Sequence, residues 1–345
     1  MAASTIQIRL NPFTAMCHKC CVSFVFIYRQ SIITKGTIMA TAEQTQSIPQ
    51  AGTLMAQRPA WLDTEVYPFA SHFISIEGNR IHYIDEGSGP VMIFLHGAPA
   101  WSFLYRDIIK GLRGRFRCIA LDWPGFGLSE PAADYEFSLM GNSRLLERFI
   151  YKLGLANVTL MVHDSAGSIG LGLVGRQPEL FRAAIVSNCF AWPLDDYPSV
   201  KRFIKVVASP IFGFLITRLN FLTRYFVRGV AGGRLSKSER QGYLGATATV
   251  AQRRQHHQLF KALLSNPDYL MDVERRLQLL RDFPILLTFG NDDAAYKAGW
   301  MQRFEHMFPN HRTFVVEGGD HFPQEDDPQG IVNAIINWWD TDIAK

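Results

Sequence analysis

Short apolar runs rich in β-branched and aromatic residues recur along the chain from about residue 70, separated by stretches with helical periodicity. This alternation predicts a mostly parallel, eight-stranded sheet with helices on both faces, an α/β fold. Gly78 and Asn79 between the first two runs predict a hairpin, so we expect that pair to be antiparallel. The eight predicted strands are residues 72–77, 80–85, 91–95, 116–121, 158–162, 183–188, 285–290 and 312–316.

One helix is marked at both ends. Ser138 is a predicted N-cap, the apolar residues of 139–153 recur at helical spacing, and Gly154 ends the run. A serine hydroxyl can accept a hydrogen bond from the first turn, and glycine tolerates the left-handed backbone that ends a helix. We therefore predict a helix over 139–153.

The pattern changes between the sixth and seventh strands. Residues 190–280 are rich in aromatic and aliphatic side chains at helical spacing, with no further clear strand pair. We predict a helical cap here, inserted into a core formed by 70–189 and 281–342. Aromatic cap residues such as Phe203 and Phe214 are expected either to line a cavity for a mainly apolar small molecule or to pack the cap against the core.

The overall charge points away from nucleic acid as a partner. The 345 residues are 48% hydrophobic and 19% charged, with a formal net charge of +4 and no long basic tract. We interpret the pairs Lys201-Arg202 and Arg253-Arg254 as solvated helix faces. This composition is typical of a globular protein with a substantial core rather than of a disordered or fibrous one.

The first part of the chain has a composition of its own. Residues 1–42 contain no Asp or Glu, and we interpret 1–50 as an extension that is disordered or serves in targeting. The composition fits an organelle transit peptide, a weak signal or anchor at residues 22–28, or a translation start upstream of Met39. The apolar run at 22–28 is too short for a membrane span, so we expect a cytoplasmic protein unless the extension targets an organelle. Cys17, Cys20 and Cys21 lack a second ligand pair at zinc-site spacing, which predicts no metal site.

A candidate nucleophile follows the fifth predicted strand. His163, Asp164 and Ser165 precede a small-residue helix, and a sharp strand-to-helix turn of this kind presents a nucleophile above the sheet. Small neighbours must flank the apex, and His163 is bulky for a residue two positions before Ser165. The helix N-terminus would also stabilise a carboxylate at Asp164. Helix capping explains the pattern equally well, so Asp164 and Ser165 both stay open as nucleophiles here.

Other segments supply the partners that a nucleophile needs. The turn after the third strand can aim the N–H of Ala98 at a developing oxyanion or a leaving group, and the N–H of Ser165 would be the second donor if Asp164 attacks. His321 lies in a glycine-rich loop after the last strand, where it can act as a base near neutral pH. Asp293, after the seventh strand, is the predicted acid that orients the imidazole.

These segments together resemble the haloalkane dehalogenase and epoxide hydrolase branch of the α/β-hydrolase superfamily, over residues 70–342. The resemblance is carried by HGAPAWSFLYR at 96–106, DWPGFGLS at 122–129, VHD at 162–164 and GDHF at 319–322. It implies an α/β-hydrolase fold, with Asp164 on the aspartate nucleophile of the branch. An acid after the seventh strand matches one dehalogenase subgroup, whereas others carry it after the sixth strand, where Asn188 stands here.

Two departures from the branch bear on the substrate. Dehalogenases typically carry Trp directly after the nucleophile and Asn or Glu between His-Gly and Pro, where this chain has Ser165 and Ala98. The side chains that usually hold a departing halide are thus replaced. Epoxide hydrolases use cap tyrosines to protonate the opening ring, and the cap offers Tyr197, Tyr225, Tyr243 and Tyr269.

We therefore predict a cofactor-independent hydrolase that acts on a small, mainly apolar substrate and water. Asp164 would form a covalent aspartyl ester, and water activated by His321, with Asp293 behind it, would hydrolyse that ester. The alternatives are a serine esterase or lactonase using Ser165, an epoxide hydrolase, and a non-catalytic receptor for small molecules. The sequence makes no prediction of the oligomeric state.

Overall fold

The computed structural model describes residues 58–230 and 234–344. The predicted extension over 1–50, with Cys17, Cys20 and Cys21, lies outside the described residues. Within them, no helix is both long and apolar enough to cross a lipid bilayer.

The sheet has eight strands in the order β1-β2-β4-β3-β5-β6-β7-β8. All pairs are parallel except β1 with β2 and β2 with β4, so β2 alone runs against the others. We predicted an antiparallel first pair, and the second antiparallel pairing, across the β2–β4 contact, was not predicted. The strands are β1 His72–Ile76, β2 Asn79–Glu86, β3 Val91–Leu95, β4 Arg117–Leu121, β5 Val158–His163, β6 Phe181–Ser187, β7 Ile285–Gly290 and β8 His311–Val316.

The central strands are buried on both faces. Every residue of β5 and of β7 is buried, which explains their nearly continuous apolar sequences. Because parallel strands end at the same edge, the loops after β3, β5, β7 and β8 are brought together there.

Helices cover both faces of this sheet. Ser138 accepts a hydrogen bond from the N–H of Gly141 (3.0 Å), as predicted for an N-cap, and the helix that it starts ends at Lys152. The helices are α1 Arg106–Leu112, α2 Leu139–Lys152, α3 Ala166–Arg176, α4 Pro198–Val207, α5 Pro210–Leu219, α6 Phe221–Tyr225, α7 Lys237–Gly245, α8 Val250–Ser265, α9 Pro267–Leu277, α10 Ala294–Lys297, α11 Trp300–Met307, α12 Pro323–Asp326 and α13 Pro328–Trp338. Short 3₁₀ or π turns occupy Ser102–Tyr105, Pro178–Leu180, Leu194–Asp196, Phe226–Val230 and Trp339–Ile343.

The described residues between β6 and β7 form helices and loops, with no strand. Helices α4 and α5 both pack against α8. Our interpretation of Arg253 as part of a solvated face is wrong, because Arg253 is buried and donates to the carbonyls of Thr217 and Thr247 (2.7 Å each). Thr217 lies in the last turn of α5, where helix carbonyls lack partners within the helix, so the guanidinium holds the end of α5 against α8.

Candidate active site

Asp164 occupies the sharp turn between β5 and α3. Its φ is +53°, in the left-handed region, whereas Ser165 has φ −60° and already lies in right-handed helical backbone. A left-handed non-glycine residue is strained and is found where the surrounding structure holds it. The apex of the turn is therefore Asp164, and Ser165 is the residue that follows it.

One oxygen of the Asp164 carboxylate accepts hydrogen bonds from the turn after β3 and from the next residue in the chain. The Ala98 N–H and the Ser165 hydroxyl each donate to Oδ2 at 3.1 Å. A Cβ on Gly97 would lie only 2.1 Å from Oδ2, so the close approach of the Ala98 turn requires glycine. Burial raises the pKa of Asp164, although His321 and the N–H groups of Ser165 and Ala98 oppose the shift by favouring the carboxylate.

The other carboxylate oxygen faces His321. Its Nε2 lies 3.8 Å from Asp164 Oδ1, and its Nδ1 lies 3.1 Å from Asp293 Oδ2. Burial alone would lower the pKa of His321, but Asp293, Asp164 and Asp320 raise it to about 9. The imidazole is therefore a cation between two carboxylates as long as both keep their charge.

The acidic partner is buried and its neighbour is not. Asp293 is almost fully enclosed, whereas Asp292 is largely exposed and pairs with Lys297 at 3.1 Å. Asn188, at the alternative position for the acid after β6, donates to the carbonyl of Asp320 and accepts from the N–H of Gly290 (3.0 Å each). The structure thus brings Asp164, His321 and Asp293 together. The Asn188 side chain instead connects the end of β7 to the loop after β8 by hydrogen bonds.

These residues can be compared with those of known proteins. The family model of the α/β-hydrolase fold matches residues 90–328 of the chain. The chain belongs to the α/β-hydrolase fold family. This hydrolase is 34% identical to haloalkane dehalogenase 2 of Mycobacterium tuberculosis over 276 residues, which cover 79% of this chain and 96% of the relative.

Two further comparisons agree with that family. A cis-3-alkyl-4-alkyloxetan-2-one decarboxylase of Shewanella oneidensis is 27% identical, with 79% of this chain and 89% of the relative covered. The crystal structure of the ancestral haloalkane dehalogenase AncHLD2 matches with a TM-score of 0.69 and 26% identity, over 77% of this chain and 97% of that one. The protein is thus a haloalkane dehalogenase-like hydrolase.

The sequence did not reveal how the hydrolase supports the His321 loop. His163 is fully buried below this loop, and its Nε2 donates to the His321 carbonyl at 2.7 Å. Burial lowers the pKa of His163 well below its usual value, and the charge of His321 lowers it further, so the ring is neutral. Its bulk beside the turn was the only local signal.

Tyrosines between β6 and β7 of the hydrolase, considered for ring protonation, have hydrogen-bond partners within the protein. The Tyr243 hydroxyl donates to Glu325, and that of Tyr269 donates to the Ser168 carbonyl at 3.0 Å. The Tyr197 hydroxyl accepts from Arg303 at 3.2 Å. Among the aromatic cap residues, Phe214 is mostly exposed to solvent, so the expectation that it lines a cavity or packs on the core is wrong.

Proposed function

We propose that this hydrolase cleaves a carbon–leaving group bond of a small, mainly apolar molecule through an ester formed on Asp164. The observation that carries the proposal is that the two carboxylate oxygens of Asp164 have different partners. Oδ2 accepts from Ala98 and Ser165, while Oδ1 faces His321 and is the oxygen left for attack. A carboxylate oriented in this way is suited to nucleophilic catalysis.

In the first step, a lone pair of Oδ1 attacks the electrophilic carbon as the bond to the leaving group breaks, and the leaving group departs with the electron pair. Asp164 then carries no charge. Since that charge helps to raise the pKa of His321, ester formation favours loss of the imidazolium proton to solvent, which leaves a neutral imidazole. The same event therefore consumes the nucleophile and prepares the base.

In the second step, His321 takes a proton from water as the water oxygen bonds to Cγ of Asp164. Negative charge develops on Oδ2, where the Ala98 N–H already points, and Asp293 stabilises the imidazolium. Breaking the Cγ–Oδ1 bond releases an alcohol, which receives the proton from His321 and leaves Asp164 as a carboxylic acid. Transfer of this second water proton from Asp164 to His321 then restores the carboxylate and the imidazolium. Every proton and electron pair is accounted for without a cofactor.

The geometry gives less support to attack by Ser165. Its side chain is buried, and its hydroxyl donates to Asp164 Oδ2, so the serine acts on the carboxylate. A serine esterase needs its hydroxyl hydrogen-bonded to the base, as in other serine hydrolases. Ser165→Ala should therefore keep most of the turnover, whereas Asp164→Asn should abolish it.

The leaving group is the open part of the proposal. The Mycobacterium tuberculosis relative is named a haloalkane dehalogenase, yet neither Ala98 nor Ser165 has a side-chain N–H for a departing halide. The Shewanella oneidensis relative is named for an oxetan-2-one, a strained ring whose opening needs no halide site. Because the haloalkane dehalogenase has the higher identity of the two relatives, we place haloalkanes first. Because the usual halide-holding side chains are replaced, we test epoxides, oxetan-2-ones and p-nitrophenyl esters beside them.

The decisive experiment is intact-mass spectrometry of the wild type and of His321→Ala after incubation with each substrate class. We expect an adduct on Asp164 in His321→Ala, because the ester forms but is not hydrolysed, and the added mass identifies the substrate class. Asp164→Asn is the control and should stay unmodified. An adduct on Ser165, or an unmodified His321→Ala beside an active wild type, would rule the proposal out.

A further inference from the structure

A basic segment within residues 190–280 contains no acidic residue. Residues 197–238 have no Asp or Glu, and their basic residues are Lys201, Arg202, Lys205, Arg218, Arg224, Arg228, Arg234 and Lys237. The segment therefore carries a formal charge of +8, against +4 for the whole chain. Positive charge that is scattered elsewhere is concentrated here.

Two helices of this segment form an outer layer on α8. The Ala208 carbonyl, between α4 and α5, accepts from Nε2 of His257 at 3.0 Å, and a Cβ on Gly213 would lie 2.5 Å from the same ring. The preceding residue of α8, His256, is buried and stacks on Phe126, with ring centroids 4.3 Å apart. The face of α5 opposite Gly213 therefore points away from the core.

That outward face is apolar and basic. Ile211 and Phe214 are 71% and 60% exposed and are followed by exposed Arg218, at the spacing of a single stripe on a helix. Leu219, at the end of α5, is 53% exposed. Three of the six large apolar side chains that are exposed in the described part of the chain lie on this one helix, so the exposure is concentrated rather than scattered.

The neighbouring elements add positive charge. Arg202 and Lys205 on α4 and Arg224 on α6 are exposed, and no carboxylate of the described residues lies within ion-pair distance of them or of Arg218. We call the set Arg202, Lys205, Ile211, Phe214, Arg218, Leu219 and Arg224 the basic apolar surface. Two copies of it would repel each other, because it offers no carboxylate to a second arginine. Its charge instead complements an anionic partner.

We propose that the basic apolar surface docks on a bilayer that contains anionic phospholipid. Ile211 and Phe214 would enter the headgroup region, while the arginines and lysines around them would contact lipid phosphates. A helix with an apolar stripe and basic flanks lies in the plane of such an interface rather than crossing it. The proposal is independent of the chemistry at Asp164.

The test is sedimentation of the full-length protein with phosphatidylcholine vesicles made with and without phosphatidylglycerol. We expect binding to the anionic vesicles that weakens with added salt, because exposed charges are screened. Each basic residue near an anionic surface strengthens binding about fivefold, so the double variant Arg218→Gln, Arg224→Gln should bind about 25-fold more weakly. Phe214→Ser should weaken binding about tenfold through the loss of apolar contact.

The controls match each change outside the surface. Leu279→Ser removes an apolar side chain that is 74% exposed, and the double variant Arg144→Gln, Arg281→Gln removes the same net charge from other exposed positions. Both should bind like the wild type. All variants keep residues 1–57, so binding through those residues would be the same in each.

Three outcomes would overturn the proposal. The first is absence of binding to anionic vesicles, and the second is an equal loss in control and surface variants. The third is a wild-type dimer in light scattering that Phe214→Ser converts to monomer while vesicle binding is unchanged, which would assign the surface to a second copy of the chain.

Discussion

Arg106 and Glu325 form a two-pronged ion pair in the interior of the protein. Nη1 and Nη2 of Arg106 lie 2.6 Å and 2.7 Å from Oε1 and Oε2 of Glu325, and both side chains are buried. Arg106 begins α1, soon after the Ala98 turn, and Glu325 follows His321 by four residues. Glu239 of α7 adds a third link at 2.8 Å, so one guanidinium joins the Ala98 turn, the His321 loop and a helix between β6 and β7.

We expect Glu325→Gln to destabilise the protein by about 3 kcal/mol, because it leaves a buried guanidinium without its main counter-charge. It should also lower kcat, since the loop that carries His321 loses an anchor. Urea unfolding measures the first effect and steady-state kinetics the second. Asp340→Asn is the control: it breaks the half-exposed pair with Arg115 and should change the free energy of unfolding little, because exposed ion pairs contribute little to stability. Equal effects of the two variants would contradict the assigned role.

Gly97→Ala tests the close approach of the Ala98 turn to the proposed nucleophile, Asp164. The added Cβ would lie 2.1 Å from Asp164 Oδ2, so the carboxylate or the Ala98 turn must move. Displacement of a reacting group by about 1 Å typically costs about 100-fold in rate, and we expect a loss of kcat of that order. Gly114→Ala is the control, because no atom lies within 4 Å of its added Cβ. If Gly97→Ala keeps wild-type turnover, Asp164 is not the nucleophile in this geometry.

The contribution of His321 to the free energy of unfolding should be lost at alkaline pH. Its pKa is raised from 6.5 to about 9, so the folded protein holds the proton more tightly than the unfolded chain. This contribution is fully present below pH 6.5 and is lost as the pH rises through about 9. In urea titrations, the free energy of unfolding of the wild type should therefore exceed that of His321→Gln most at acidic and neutral pH. The difference should disappear above pH 9. A difference that grows with pH would have the wrong sign.

His256 should act in the opposite direction. Burial, together with the charges of His96 and Arg253, lowers its pKa from 6.5 to about 3, so on acidification the unfolded chain takes up a proton before the folded protein does. Stability should fall as the pH drops from 6.5 toward 3. His256→Phe keeps the ring stack on Phe126 and should lose less stability on acidification in urea titrations. His306→Gln, at an exposed ring on α11, should behave like the wild type.

Much of the fold could be predicted because strand and helix periodicity is local. The eight runs have the composition of buried strands, Ser138 caps its helix, and the glycines around Asp164 mark a tight turn. The reversed strand β2 was only half predicted, since its pairing with β4 depends on residues about 40 positions away, such as Tyr83 and Leu121. No periodicity within either segment encodes that pairing.

For the candidate active site, the residue types, their order and the loops that carry them could be predicted from the sequence, because each loop directly follows a recognisable strand. Our proposal of Asp164 over Ser165 needed the tertiary structure, since it depends on the sign of one φ angle and on which oxygen meets Ala98 and which meets His321. The same holds for the supports: His163 meets His321 across 158 residues, and Arg106 meets Glu325 across 219. Only formation of the tertiary structure creates these contacts, because hydrogen bonds and ion pairs act over a few ångströms and carry no signature in the local sequence.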